Sequence, residues 1–312
     1  LEAMAWEAAR GGNRLEAAAD LVATVGRAQE DDGYLNTAFG RPGQPARYSD
    51  LEWGHELYCY GHLFHAAVAQ ARAGSPELLD IAVRAADHVC RTFGPGGNDG
   101  FCGHPGIEMA LVELARLTGQ ERYLDQAAMF VERRGHGRLA DIELGREYYQ
   151  DDVPVRQATV LRGHAVRALY LACGAVDVAV ETGDDALLEA IITQWEAAVA
   201  RRTYLTGGMG SRHAGEAFGE DFALPPDRAY SETCAGVASV MLSWRLLLAT
   251  GDSRFADLAE RTLYNVVATS PAEDGRAFFY ANTLHQRSRG APPDPNSPNP
   301  RPTGSARSPW FA

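Results

Sequence analysis

The chain has 312 residues, 46% of them hydrophobic and 22% charged, which fits one large or two ordinary globular domains and excludes a disordered chain. Against 41 Asp and Glu stand 29 Lys and Arg, a formal net charge of −12, so neither a nucleic acid nor an anionic membrane surface is an expected partner. No run of eighteen uninterrupted apolar residues occurs, so no membrane span is expected.

In chain order, helical periodicity runs from Leu15 to Gln29, Glu52 to Arg72, Glu77 to Thr92, Pro105 to Leu117 and Glu121 to Arg133. It resumes from Gln157 to Thr182, Ala186 to Arg201, Ser231 to Thr250 and Arg254 to Ser270. Arg276 to Asn282 reads as a short strand after the Asp274-Gly275 turn. From Ser288 on, repeated prolines forbid helix and inner strand, which predicts a surface loop or flexible segment. The opening residues have no basic-then-apolar signal pattern and start inside a helical pattern, and Trp310-Phe311-Ala312 is an apolar finish. The chain therefore reads as a piece of something longer.

Three hairpin tips share one pattern: Thr118-Gly119-Gln120, Thr182-Gly183-Asp184 and Thr250-Gly251-Asp252. They mark a degenerate repeat of helix pairs, which closes into an α/α barrel or opens into a solenoid; the length and unevenness of the repeats favour the barrel. One helix of each pair is then inner, and its start should carry unusual polar residues. His55, His104, His164 and Glu216 recur about 50 to 60 residues apart, one hairpin each, and are predicted to face one pocket with Tyr280 near them. For a single histidine, a core or capping role is the plainer reading.

The stretch from Gly215 to Cys234 concentrates Glu216, Glu220, Asp221, Glu232 and a thiol around the turn Leu224-Pro225-Pro226-Asp227. Glu232 and Cys234 stand two apart and can converge on one cation. A hard oxygen with a soft sulfur suits zinc better than calcium or magnesium. The alternative is a charged loop before a helix with one buried cysteine. The other cysteines, Cys59, Cys90, Cys102 and Cys173, are scattered; together with Cys234 they make no disulfide framework and point to a reducing, cytoplasmic setting.

Several stretches, in order, resemble the bacterial β-L-arabinofuranosidase family, glycoside hydrolase family 127. They are Asp32 to Thr37, His55-Glu56-Leu57-Tyr58-Cys59, Gly103 to Glu108, Thr206 to Ser211, Gly215-Glu216-Ala217-Phe218, Tyr230-Ser231-Glu232-Thr233-Cys234 and Phe278 to Asn282. The resemblance implies an all-α (α/α)6 barrel over residues 1–287, with flanking β-domains largely outside this chain, and a 288–312 loop leading to an absent cysteine motif. It implies Glu216 as general acid/base, and Glu232 and Cys234 as two ligands of a Zn2+ completed by two further cysteines. One of those absent cysteines is the implied nucleophile. It further implies that His55, His104, His164, Glu260 and Tyr280 surround the sugar, and that a chain truncated at both ends holds zinc weakly or not at all.

The expected reaction is retaining removal of a terminal β-L-arabinofuranosyl or related residue from an oligosaccharide or glycoconjugate. Two other readings stay open. An α/α-toroid sugar epimerase or unsaturated-uronide hydrolase leaves Glu232 and Cys234 without a task. An inactive fragment or helical scaffold predicts varied inner residues in place of histidines beside carboxylates. A homodimer is compatible with every reading.

Overall fold

The computed structural model describes residues 1–12 and 15–285, with the backbone alone for 15–17. The expectations for 288–312 lie outside the described residues. Among those described there are ten α-helices, short 3-10 turns and no strands. The described residues form two compact units, one of Leu1–Ala140 with Asp177–Gly183, the other of Asp141–Val176 with the described residues from Asp184 onward.

The first unit holds α1 (Glu2–Ala9), α2 (Leu15–Ala28), α3 (Glu56–Arg72), α4 (Glu77–Phe93), α5 (Ile107–Thr118) and α6 (Glu121–Arg133). Helix α5 buries every residue from Ile107 to Val112 and then Leu114, the all-round burial of an inner helix. By contrast α4 and α6 are amphipathic. Leu78, Ile81, Ala82, Ala85, Val89 and Phe93 of α4 go inward at helical spacing. Helix α3 packs on both α4 and α5, and Gly61 permits it: a Cβ there would stand 2.9 Å from the Gly106 carbonyl oxygen.

The second unit holds α8 (Asp185–Arg201), α9 (Thr233–Thr250) and α10 (Ser253–Thr262), together with the N-terminal part of α7 (Ala165–Thr182). The predicted tips recur in atomic detail. Thr118, Thr182 and Thr250 each turn their hydroxyl back to the carbonyl four residues earlier, at 2.7, 2.8 and 2.7 Å. Gly119, Gly183 and Gly251 follow with φ of 68°, 67° and 74°, the left-handed step that stops a helix. Asp184 and Asp252 then cap the next helix through their side chains.

Three expectations fail. Arg276–Asn282 is not a strand but a turn-rich segment with isolated bridges, Pro271 to Phe278 and Glu232 to Ala281. The helix predicted from Gln157 starts only at Ala165, because Gly163 at φ 66° breaks the run. The span from Leu263 to Val267 leaves the α-helix for a π turn. Helix α9, with mean hydropathy 1.4 over 18 residues, is long and apolar enough to cross a membrane by length and composition, which an uninterrupted-run criterion overlooked. One face of it serves as core through Ala235, Ala238, Leu242 and Leu246.

Candidate active site

The loop from Thr203 to Ser231 builds the second unit's polar centre. Two short antiparallel contacts set it up: His164 bridges Ala217, and the Arg212 N–H donates to the Ala217 carbonyl at 3.0 Å. On the other edge, Ser231 N–H donates to Gly210 at 2.7 Å and Tyr230 N–H to Ser211 at 3.3 Å. The segment from Gly210 to Arg212 therefore lies between the Glu216 turn and Tyr230, bringing their side chains together. Glu216 (φ 50°) and Ser231 (φ 39°) both hold left-handed backbone, a cost of about 1–3 kcal/mol each that tends to accumulate at functional sites.

Both oxygens of the Glu216 carboxylate are engaged. Tyr230 donates its hydroxyl to Oε1 at 2.6 Å, and His164 Nε2 lies 3.0 Å from Oε2. The Arg167 N–H donates to His164 Nδ1 at 3.5 Å, which leaves Nε2 to carry the ring proton toward the carboxylate. Burial holds His164 below its ordinary value, so it is a neutral donor at physiological pH. The His164 hydrogen bond, and then that of Tyr230, hold Glu216 below the usual glutamate value against the pull of burial. Two donors thus stabilise the charged form of Glu216.

Glu232 is shifted in the opposite direction. It is 2% exposed, and burial followed by the charge of Glu216 push it up to about 8. The Tyr280 hydroxyl donates to its Oε1 at 3.4 Å, while Oε2 has no hydrogen-bond partner among the described residues. Cys234 lies beside it at the start of α9. Its side chain is exposed, yet the protein crowded around it and the neighbouring Glu232 push the thiol up to about 12. Tyr230 connects the two carboxylates, since its ring lies 6.1 Å from that of Tyr280 and 4.9 Å from His213.

A zinc ion would meet in Glu232 and Cys234 one orphaned buried oxygen and one neighbouring sulfur, a donor set that fits it in kind. The number falls short: among the described residues no three His, Cys, Asp or Glu side chains are grouped to hold a metal. The two therefore fit as half of a tetrahedral site.

The first unit assembles the other two predicted histidines. His55 caps α3 with φ 57°, and its Nδ1 contacts the Trp53 carbonyl. Its ring lies 5.7 Å from that of His104, which is buried with Nδ1 2.7 Å from the Pro105 carbonyl. Tyr58 packs against both rings, at 5.7 and 4.3 Å. Beneath His55, Glu56 accepts from the Tyr34 hydroxyl and, at 2.8 Å, from the Tyr48 N–H.

The predicted residues thus come together as two groups: His55 with His104 in one unit, and His164, Glu216, Glu232, Cys234 and Tyr280 in the other. Glu260 joins neither; it is exposed on α10. The sequence reading gave no role to Tyr230, although it opens the Tyr-Ser-Glu-Thr-Cys stretch. It also missed Gln150, whose Nε2 donates to the Tyr148 and Arg162 carbonyls at 3.1 and 3.0 Å and holds the approach to His164.

The family model of the β-L-arabinofuranosidase GH127 catalytic domain matches residues 1–312. The chain belongs to this family. It is 35% identical over 315 aligned residues to a non-reducing end β-L-arabinofuranosidase of Bifidobacterium longum subsp. longum, covering 94% of this chain and 47% of that protein. Among solved structures it resembles a GH127 β-L-arabinofuranosidase from Geobacillus stearothermophilus T6, with TM-score 0.82 and 41% identity over 86% of this chain and 45% of that one. A GH127 β-arabinofuranosidase gives TM-score 0.85 and 37% identity over 96% of this chain and 48% of that one. The fold is accordingly all-α among the described residues, built from the helical hairpins that the repeat predicted, and is shared with these GH127 structures. This GH127 chain spans about half the length of the relatives it matches.

Proposed function

We propose that this chain carries the acid/base machinery of a glycosidase that releases terminal β-L-arabinofuranosyl residues from oligosaccharides or glycoconjugates with retention. One observation carries the proposal. Within a chain matched end to end by a glycosidase family, one carboxylate, Glu216, is held at both oxygens by Tyr230 and His164 beside a second, buried carboxylate, Glu232. Retaining hydrolysis needs one carboxyl group that serves first as acid and then as base.

In the first step the Glu216 proton passes to the leaving oxygen while a nucleophile bonds to the anomeric carbon and the glycosidic C–O bond breaks. In the second, the Glu216 carboxylate takes a proton from water as that water's oxygen replaces the nucleophile. The free site has Glu216 set for the second task. For the first it must gain a proton as the sugar excludes water and removes the solvation of its charge. His55, His104 and His164 suit hydrogen bonding to sugar hydroxyls.

Glu232 and Cys234 would hold a Zn2+ together with ligands beyond those described here, and the bound ion would keep its thiolate ligands deprotonated near neutral pH. The nucleophile that the resemblance implies is a cysteine outside this chain. Five free thiols fit work in a reducing cytoplasm.

The proposal is tested with Glu216→Gln in the full-length protein, on arabinofuranosides of graded leaving group. Loss of about 10²- to 10⁴-fold on a sugar leaving group, with little loss on an activated phenol, is the acid signature. Equal losses on both would refute the role.

A further inference from the structure

We infer that Tyr230 is a positioning residue for Glu216, fixing the rotation of its carboxylate so that the oxygen shared with His164 is the one that exchanges the proton. The inference rests on the acid/base role proposed for Glu216 and adds a residue to which that role assigned no part.

Glu216 sits at the left-handed end of a three-residue 3-10 turn, Ala214–Glu216, too short to fix the direction of its carboxylate, so its orientation must come from its partners. Tyr230 binds Oε1 at 2.6 Å, the shorter of the two hydrogen bonds, and a phenol hydroxyl facing a carboxylate is the donor. The tyrosine is in turn held at several points. Its amide donates to Ser211, its carbonyl accepts from Asn282 N–H at 3.0 Å, and its ring packs between His213 and Tyr280. His164 stands on the paired segment across Ala217. Oε1 is therefore committed to a donor that keeps its proton. Oε2 faces a neutral imidazole, which a substrate oxygen can replace without leaving a charge unpaired. The same arrangement suits both half-reactions, because a carboxylate that does not rotate returns the proton at the position from which it gave it.

Tyr230→Phe in the full-length enzyme removes the hydroxyl and keeps the ring. The expected result is a fall in kcat of about 10- to 100-fold with KM changed by less than about threefold, and a larger fall for a sugar than for a nitrophenol leaving group. An unchanged kcat, or a loss confined to KM, would overturn the inference. A second readout does not need turnover. With glutamate carboxyls labelled with carbon-13, the infrared difference between wild type and Tyr230→Phe should contain a shifted carboxylate band that is missing when both proteins also carry Glu216→Gln. Incorporating 3-fluorotyrosine at position 230, a stronger donor of nearly the same size, should shift the band the other way. No shift in either case would show that Tyr230 does not hold Glu216, whatever the activity. Wild-type enzyme inactive on every β-L-arabinofuranoside would sink the proposed hydrolysis, and the infrared result would still decide the contact.

Discussion

His164 Nε2 lies 3.0 Å from Glu216 Oε2, so two residues 52 positions apart meet as one hydrogen-bonded pair. The contact follows from the antiparallel bridge between His164 and Ala217, which sets the loop before α7 against the Glu216 turn. His164→Ala in the full-length protein would remove the neutral donor on Oε2 and leave Tyr230 in place. Activity is expected to fall by about tenfold or more, with the alkaline limb of the kcat/KM pH profile moving to higher pH, because a hydrogen bond that lowers the Glu216 pKa in the free enzyme is gone. An unmoved limb would separate His164 from the control of Glu216.

The glycine before His164 predicts a stability effect. Gly163 has φ 66°, and a Cβ there would stand 2.0 Å from the Glu147 carbonyl oxygen. Gly163→Ala should cost about 2 kcal/mol or more, read from the midpoint of urea unfolding. A change below about 0.5 kcal/mol would mean that the approach to His164 yields easily.

In the first unit, Glu108 and Arg134 are both fully buried with oxygen and nitrogen 3.6 Å apart. Glu108 Oε2 also accepts the Gly106 N–H at 2.8 Å, and Arg134 donates to the Cys102 carbonyl at 2.6 Å, so the pair braces the turn that carries His104. Glu108→Leu removes the carboxylate that lies 3.6 Å from this buried guanidinium. It should destabilise by about 3–5 kcal/mol, whereas replacing both residues with apolar ones should cost much less. Equal costs for the single and double changes would contradict this account.

His88 gives a pH prediction. Burial holds it below its ordinary value despite Asp32, which lies 3.5 Å away. The unfolded chain thus binds this proton more readily than the folded one. The contribution is fully present above the ordinary histidine value and is lost as pH falls through the lowered one. His88→Gln should therefore show a smaller drop in melting temperature between about pH 7 and pH 5 than the wild type. A parallel or steeper drop would show that His88 does not contribute in this window.

The helical hairpins were legible in the sequence because amphipathic periodicity and the Thr-Gly tips are local signals with local causes. The strand reading of Arg276–Asn282 misled because Phe278-Phe279-Tyr280 alternates like a strand, yet its backbone finds only isolated bridges. For the site, Glu216, Glu232, Cys234 and the histidines stood out as residue types that are costly to bury. Tyr230 did not, because a tyrosine among twelve carries no such signal. Its role depends on the Gly210–Arg212 segment lying between it and Glu216, a long-range pairing that no local pattern encodes. Glu260 illustrates the converse: a carboxylate marked by resemblance, it sits exposed on α10.

The most direct test of the central claim, that Glu216 acts as acid and then base in a retaining hydrolysis, follows the first-formed product of the full-length enzyme by proton NMR. Given a terminal β-L-arabinofuranoside, the account predicts that β-L-arabinofuranose appears first and then mutarotates, and that Glu216→Gln abolishes this on a sugar leaving group. First appearance of the α-anomer, or unchanged turnover in Glu216→Gln, would contradict it.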